Sequence, residues 1–210
     1  MNDIRLVVFD CDGVMVDSRG ANREYYNHIR TRFGHPPMDE DELDYVHMHR
    51  VEDSVRHIFR HYPEDLAAAT SYHRELDYTP FLRYMHLEPD LLQFLDYLRP
   101  RCKTAISTNR TTTMPKVMEM FQLTPYFDQV VTARDVANPK PHPEALEVIM
   151  ESLRVGPGHT IYIGDSPVDR EHSAAAGIPL IAFKNPDLEA PYHVSSFMEI
   201  VDLPPFRCNG

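Results

Sequence analysis

Five short apolar runs, at residues 6–9, 104–106, 129–131, 160–163 and 180–183, constrain this chain more than any other feature. Each has the length and β-rich make-up of a buried strand. Between the later runs lie segments with helical spacing, at 115–121, 143–153 and 168–176, where Pro115 and Pro143 suit first-turn positions that lack an amide acceptor anyway. Strand alternating with helix predicts an α/β fold built on a parallel sheet with right-handed crossovers.

The interval 18–85 breaks that rhythm. It carries helical patterns at 23–33, 40–49, 52–61 and 63–76 but no good strand, and so reads as an inserted helical module. The expected organisation is an α/β core of residues 1–17 and 86–210 around an insertion of residues 18–85. Leu91, Leu92, Leu95 and Leu98 form an apolar helical stripe leading into the second strand, expected to pack on the sheet. The segment after Lys184, rich in proline and polar residues, predicts little.

Charge and composition exclude several functions. A formal charge of −11 leaves no basic excess to offset phosphate repulsion, which argues against nucleic acid and an anionic membrane as partners. No apolar run approaches the roughly 20 residues of a membrane span, and the N-terminal apolar stretch is far shorter than a signal-peptide core, so the expected location is the cytoplasm. Cys11, Cys102 and Cys208 show no zinc spacing and are odd in number, which predicts neither a disulfide framework nor a structural metal.

The first run ends in FDCDGVMVDS, placing Asp10 at the carboxyl end of a strand and Asp12 two residues on, where open α/β sheets bind ligands. Two carboxylates so close require a cation or a proton, and oxygen donors of this kind suit magnesium. Three more polar clusters fall at or after strand ends: Ser107, Thr108, Asn109 and Arg110; Lys140 in NPKPHPE; and Asp165, Ser166 and Asp169 in GDSPVD. Taken singly, the aspartate pair could be turn residues, Thr108 and Asn109 a helix cap, Lys140 a solvated lysine and residues 165–169 a helix start.

Together, in order, DCDGVMVDS, AISTN, the lysine of PKPHPE, and GDSPVD followed by AAAG resemble the four motifs of the haloacid dehalogenase (HAD) superfamily. The resemblance is closest to its phosphoglycolate phosphatase and β-phosphoglucomutase-like branch. It implies a Rossmann-like parallel sheet with a small inserted α-helical cap. It also implies a phosphatase acting on a small phosphorylated metabolite, with Asp10 as nucleophile and an aspartyl-phosphate intermediate. Asp12 becomes the acid and base, which requires a pKa well above the roughly 4 of free aspartic acid. Mg2+ would be held by Asp10, the Asp12 main-chain carbonyl and Asp165, with Asp169 supporting the motif. Thr108 and Lys140 would bind phosphoryl oxygens, joined by Asn109.

An acid at position 12 argues against dehalogenation, which has no alcohol leaving group to protonate, and a lysine-free insertion argues against Schiff-base phosphonatase chemistry. Where β-phosphoglucomutases carry a histidine after the first motif this chain has Asn22, so hydrolysis is favoured over a sugar phosphomutase, the alternative reading. A catalytically silent binding module would not need Asp10, Asp12, Lys140 and Asp165 together. Within the insertion, HMHRVEDSV resembles a substrate-facing cap segment, and Arg50 becomes the candidate contact for the substrate's non-reacting end, although it could equally be a solvated helix-end arginine. Cap opening and closing would use hinges near residues 15–18 and 84–87.

Overall fold

The computed structural model describes residues 4–49 and 51–207. Two compact units emerge, one of Met1–Val16 with Leu87–Gly210 and one of Asp17–His86. Two-residue strands β2 (Val16–Asp17) and β3 (His86–Leu87) pair where the chain passes from one unit to the other and back.

The first unit is a six-stranded Rossmann-like sheet. Its strands are β1 (Leu6–Phe9), β4 (Lys103–Thr108), β5 (Gln129–Thr132), β6 (Thr160–Gly164), β7 (Leu180–Phe183) and β8 (Tyr192–Val194), in the order β5-β4-β1-β6-β7-β8. Every pairing is parallel, with Leu6 opposite Lys103 and Thr160, and Phe9 opposite Ile106 and Ile163. The run LVVF is fully buried because both sheet faces are covered, which is why it lacks alternation. Leu6 and Val8 join Ala105, Val131, Tyr162 and Ala182 in one core, into which helix α7 (Glu144–Leu153) inserts Leu146 and Ile149. Phe9 faces the other way. Its ring meets Phe94 at 6.1 Å, Phe127 at 5.6 Å and Phe197 at 5.9 Å between centroids.

Two expectations need correction here. Helix α5 (Leu91–Leu98) buries Leu91, Phe94, Leu95 and Leu98, whereas Leu92 is 38% exposed. Leu92 lies a hundred degrees round from Leu91, so the i, i+3, i+4, i+7 face admits Phe94 and excludes it. The sheet also has a sixth strand: β8 lies in the segment after Lys184, and the following 3-10 turn (Phe197–Asp202) delivers fully buried Phe197 and Ile200 to the core. A three-residue strand flanked by polar residues has too little periodicity to announce itself.

The second unit is helical: α1 (Arg19–Arg32), α2 (Glu40–Met48), α3 (Val51–Ile58) and α4 (Leu66–Glu75). Tyr25, Tyr26, Ile29, Leu43, Val55, Ile58 and Phe59 form its core. Asp39 and Glu42 close a capping box at the start of α2. Glu42 also accepts from buried Arg30 and, at 2.6 Å, from Arg60, which ties α1 to α2 and the end of α3. No helix among the described residues is long and apolar enough to cross a membrane.

Candidate active site

Asp10 follows β1, Thr108 ends β4, Asp165 follows β6, and Lys140 precedes α7. Because β1 lies between β4 and β6 and the connections leave it in opposite directions, a crevice opens at the carboxyl ends of these central strands. Close backbone approach is built in. A Cβ on Gly13, whose φ is +77°, would sit 2.1 Å from Asp165 Oδ2, and one on Gly164 would sit 2.4 Å from Asp169 Cβ.

Lys140 is the hub. Its Nζ donates to Asp10 Oδ1 at 2.7 Å, to Asp169 Oδ1 at 2.7 Å and to Tyr162 Oη at 3.0 Å, and its side chain is only 4% exposed. Tyr162, rising from β6, donates to Asp169 Oδ1 at 2.9 Å. The other oxygen of Asp169 accepts from Ser166 Oγ at 2.6 Å and from the amide of Ser166 at 3.2 Å, completing a capping box with Pro167 in the first turn of α8 (Pro167–Ala175). The helix-start reading of this segment and its role in the cluster therefore hold at once.

The electrostatics is unbalanced in a definite direction. Burial, aided by the charge of Asp10 and Asp169, pushes Asp165 up to about 8. Burial likewise pushes Asp10 up to about 7 against the pull of Lys140. Asp169 is driven below the ordinary carboxylate range, because Lys140 and its hydrogen bonds outweigh the effect of burial. Lys140 is raised: burial opposes its charge, but Asp10 and Asp169 overcome that. Two carboxylates held close and short of positive charge are what a divalent cation neutralises, and one oxygen from each of Asp10, Asp165 and Asp169 lies within 4.8 Å of the others. The donor set is all oxygen and fits magnesium. Both Asp169 oxygens already have donors, so Asp10 and Asp165 are the carboxylates best disposed to touch an ion.

The remaining candidates separate. Thr108 is buried and its Oγ1 accepts from the amide of Arg110 at 3.1 Å. Asn109 exchanges two 3.1 Å hydrogen bonds with the main chain of Lys140, so its carboxamide fixes the lysine loop in place. Ser107 points the other way, bonding His172 Nε2 at 2.9 Å. Asp12 lies at the rim, its carboxylate 36% exposed and held in a fork by Arg110, Nε at 3.0 Å and Nη2 at 2.5 Å. That fork suits the ionised carboxylate, whereas the acid role expected for Asp12 starts from the protonated one. Asn22 belongs to the helical unit, where it accepts from Tyr78 Oη at 2.8 Å. Arg50 lies outside the described residues. Sequence reasoning assigned nothing to Tyr162 or to the Arg110 fork. Tyr162 sat inside an apolar run and read as core; the only signal for Arg110 was its place beside Asn109.

Residues 7–183 match the family model described as haloacid dehalogenase-like hydrolase. A phosphoglycolate phosphatase from Rhodobacter capsulatus is 27% identical, over 94% of both chains. Pyrophosphatase PpaX from Oceanobacillus iheyensis is 24% identical, over 79% of this chain and 77% of its own. Among solved structures, a HAD-superfamily hydrolase, subfamily IA, variant 1, from Geobacter sulfurreducens superposes with a TM-score of 0.86 at 37% identity, covering 96% of each chain.

Proposed function

The chain belongs to the haloacid dehalogenase-like hydrolases, and from that premise we propose that it is a magnesium-dependent phosphatase that cleaves a small phosphomonoester through an aspartyl-phosphate on Asp10. The observation that carries this reading is that three separate segments bring Asp10, Lys140 and the pair Asp165 and Asp169 together at the carboxyl end of the sheet, with the buried Lys140 ammonium bridging Asp10 and Asp169 and the three carboxylates close enough to share one ion.

In this reading Asp10 attacks phosphorus while Lys140 and Thr108 hold the equatorial oxygens, whose charge grows in transfer. Asp12 gives its proton to the leaving oxygen and later takes one from the water that opens the phosphoaspartate. Asp10, the main-chain carbonyl of Asp12 and Asp165 would hold magnesium, and Asp169 would orient the set from behind. A bound magnesium ion supplies positive charge that reduces repulsion between the carboxylate and the phosphate dianion. Asn109 acts through the Lys140 loop. Residues 18–85 would act as the cap, and Arg50 would contact the substrate's non-reacting end.

A phosphoglycolate- or sugar-phosphate-like substrate is supported by the Rhodobacter capsulatus relative. That neither nucleic acid nor an anionic membrane is a partner is supported by the charge of −11. The test is magnesium-dependent phosphate release from phosphoglycolate, hexose 1-phosphates and acetyl phosphate by wild type and Asp10→Asn. Loss of at least about a thousandfold in Asp10→Asn is expected, the scale at which removal of a nucleophile is felt. Equal rates, or isomerised sugar phosphate in place of free phosphate, would overturn hydrolysis by this route.

A further inference from the structure

We propose that a cavity at the amino end of the sheet is a second site, one that binds a small molecule carrying two or three linked phosphates. The cavity has a volume of about 470 Å³, and Arg5, Arg99, Arg101 and Lys103 line it together with Tyr126 and Asp128. It lies at the opposite end of the strands from the Asp10 cluster: Arg5 precedes β1 and Asp10 follows it, while Lys103 opens β4 and Thr108 closes it. At about 3.3 Å per residue the two ends of β4 are roughly 17 Å apart. No residue is common to the two sites, so the proposal is independent of the phosphatase reading.

Singly, three of these cations have ordinary structural duties. Lys103 Nζ donates to the carbonyl of Leu153, the last residue of α7, at 2.9 Å, and Arg101 donates to the carbonyl of Tyr97 in the last turn of α5. Arg99 Nη2 donates to the carbonyl of Pro125, in the segment between α6 (Met114–Met120) and β5, at 3.0 Å. The guanidinium of Arg99 also lies 5.5 Å from the centre of the Tyr126 ring, and that of Arg101 4.2 Å from Tyr97. These contacts hold the cations in place without neutralising them. A helix C-terminus offsets about half a charge, so the ends of α5 and α7 together offset about one of the four. Asp128 offsets another, although one of its oxygens is turned to the amide of Thr104 at 2.9 Å. None of the four forms an ion pair with a carboxylate among the described residues, whereas Arg19, Arg23, Arg30, Arg60 and Lys184 each do. Roughly two positive charges are thus left unmatched in one concavity of a chain whose formal charge is −11.

A concave wall of one sign concentrates the field and draws in the opposite charge. Phosphate suits it, because a guanidinium fork matches two phosphate oxygens and an ammonium adds a point charge. The volume falls in the range of small-molecule pockets, roughly 300–1,000 Å³, and leaves space for more than one phosphate. Size also decides against nucleic acid. Beyond about 8 Å at physiological salt the rest of the acidic surface is screened from a small ligand, but an extended polyanion would lie against that surface.

The experiment titrates orthophosphate, pyrophosphate, tripolyphosphate and ATP into the nitrogen-15-labelled protein and follows its amide resonances. EDTA is present throughout, so that no metal draws phosphate to the Asp10 cluster. Shifts are expected at Arg5, at residues 99–104 and at residues 126–128, and the affinity should rise at least about threefold with each added phosphate, because each brings further charge to the same cations. ATP binding more tightly than tripolyphosphate identifies the ligand as a nucleotide; equal or weaker binding identifies it as the polyphosphate chain itself. Arg5→Gln combined with Arg101→Gln should weaken tripolyphosphate binding at least about tenfold, with the spectrum unchanged away from the cavity. Should that double variant fail to fold, Lys103→Gln alone should weaken binding at least about threefold. Shifts centred on Asp10 and Lys140, affinities indifferent to the number of phosphates, or folded variants that bind as the wild type does would overturn the proposal. A protein that hydrolyses no phosphate ester would leave it standing.

Discussion

Replacing Lys140 with methionine keeps the length of the stem and removes only the charge, leaving Asp10 and Asp169 buried without the ammonium that sits 2.7 Å from each. Asp169 is fully buried and Asp10 nearly so, and water cannot readily take the place of Nζ. Breaking one partner out of a buried ion cluster costs about 3–5 kcal/mol. At roughly 2–4 °C per kcal/mol for a chain of this size, the melting temperature should fall by about 6–20 °C.

The pH dependence has a definite sign. Lys140 holds Asp169 below the ordinary carboxylate range, so the stability this contributes is present above about 4 and lost as pH falls through the native value. In the variant, Asp10 and Asp169 are freer to take up protons, which relieves their repulsion as the solution is acidified. The difference in melting temperature should be largest near pH 8 in EDTA and narrow towards pH 5, and magnesium should narrow it at pH 8. Calorimetry of both proteins under the three conditions is the assay. A difference under 2 °C at pH 8, or one that widens in acid, would refute the claim that this ammonium balances the cluster.

Two further outcomes follow from the same geometry. Magnesium at a hundred times its dissociation constant should stabilise the wild type by about 2.7 kcal/mol; in a thermal-shift titration Asp165→Asn should lose most of this, and an equal shift in the variant would exclude Asp165 as a ligand. His172, fully buried with Nδ1 donating to the carbonyl of His142 at 2.8 Å, is pushed down to about 4 by burial and by the charge of Lys140. Its lowered value means that a stabilising contribution of up to about 3 kcal/mol is complete above 6.5 and lost as pH falls towards 4. Urea midpoints at pH 7.0, 5.5 and 4.5 should therefore fall more steeply for wild type than for His172→Asn, and parallel slopes would refute the assignment.

The α/β class was legible because buried parallel strands are written as uninterrupted apolar runs, and β1, β6 and β7 are fully buried along their whole length. The carboxyl ends of β1, β4 and β6 could be read directly, and with them the neighbourhood shared by Asp10, Thr108 and Asp165. The local signals failed where spacing was short or one side chain stood in for another, as at β8 and at Leu92 beside Phe94.

Which polar atoms meet was a different matter. Lys140 reaches Asp10 across 130 positions and Arg110 reaches Asp12 across 98, separations over which no periodicity carries information. The sequence by itself determined five of the six strands of the main sheet, most helices and the polar residues offered at the ends of those strands, because those depend on neighbours three or four positions away. Only the tertiary structure decided that Asn109 braces the lysine loop, that Tyr162 closes the cluster from below and that Asp12 lies in the grip of Arg110. Strand order determines which loops are adjacent, and hydrogen-bond geometry then selects among the side chains those loops bring within reach.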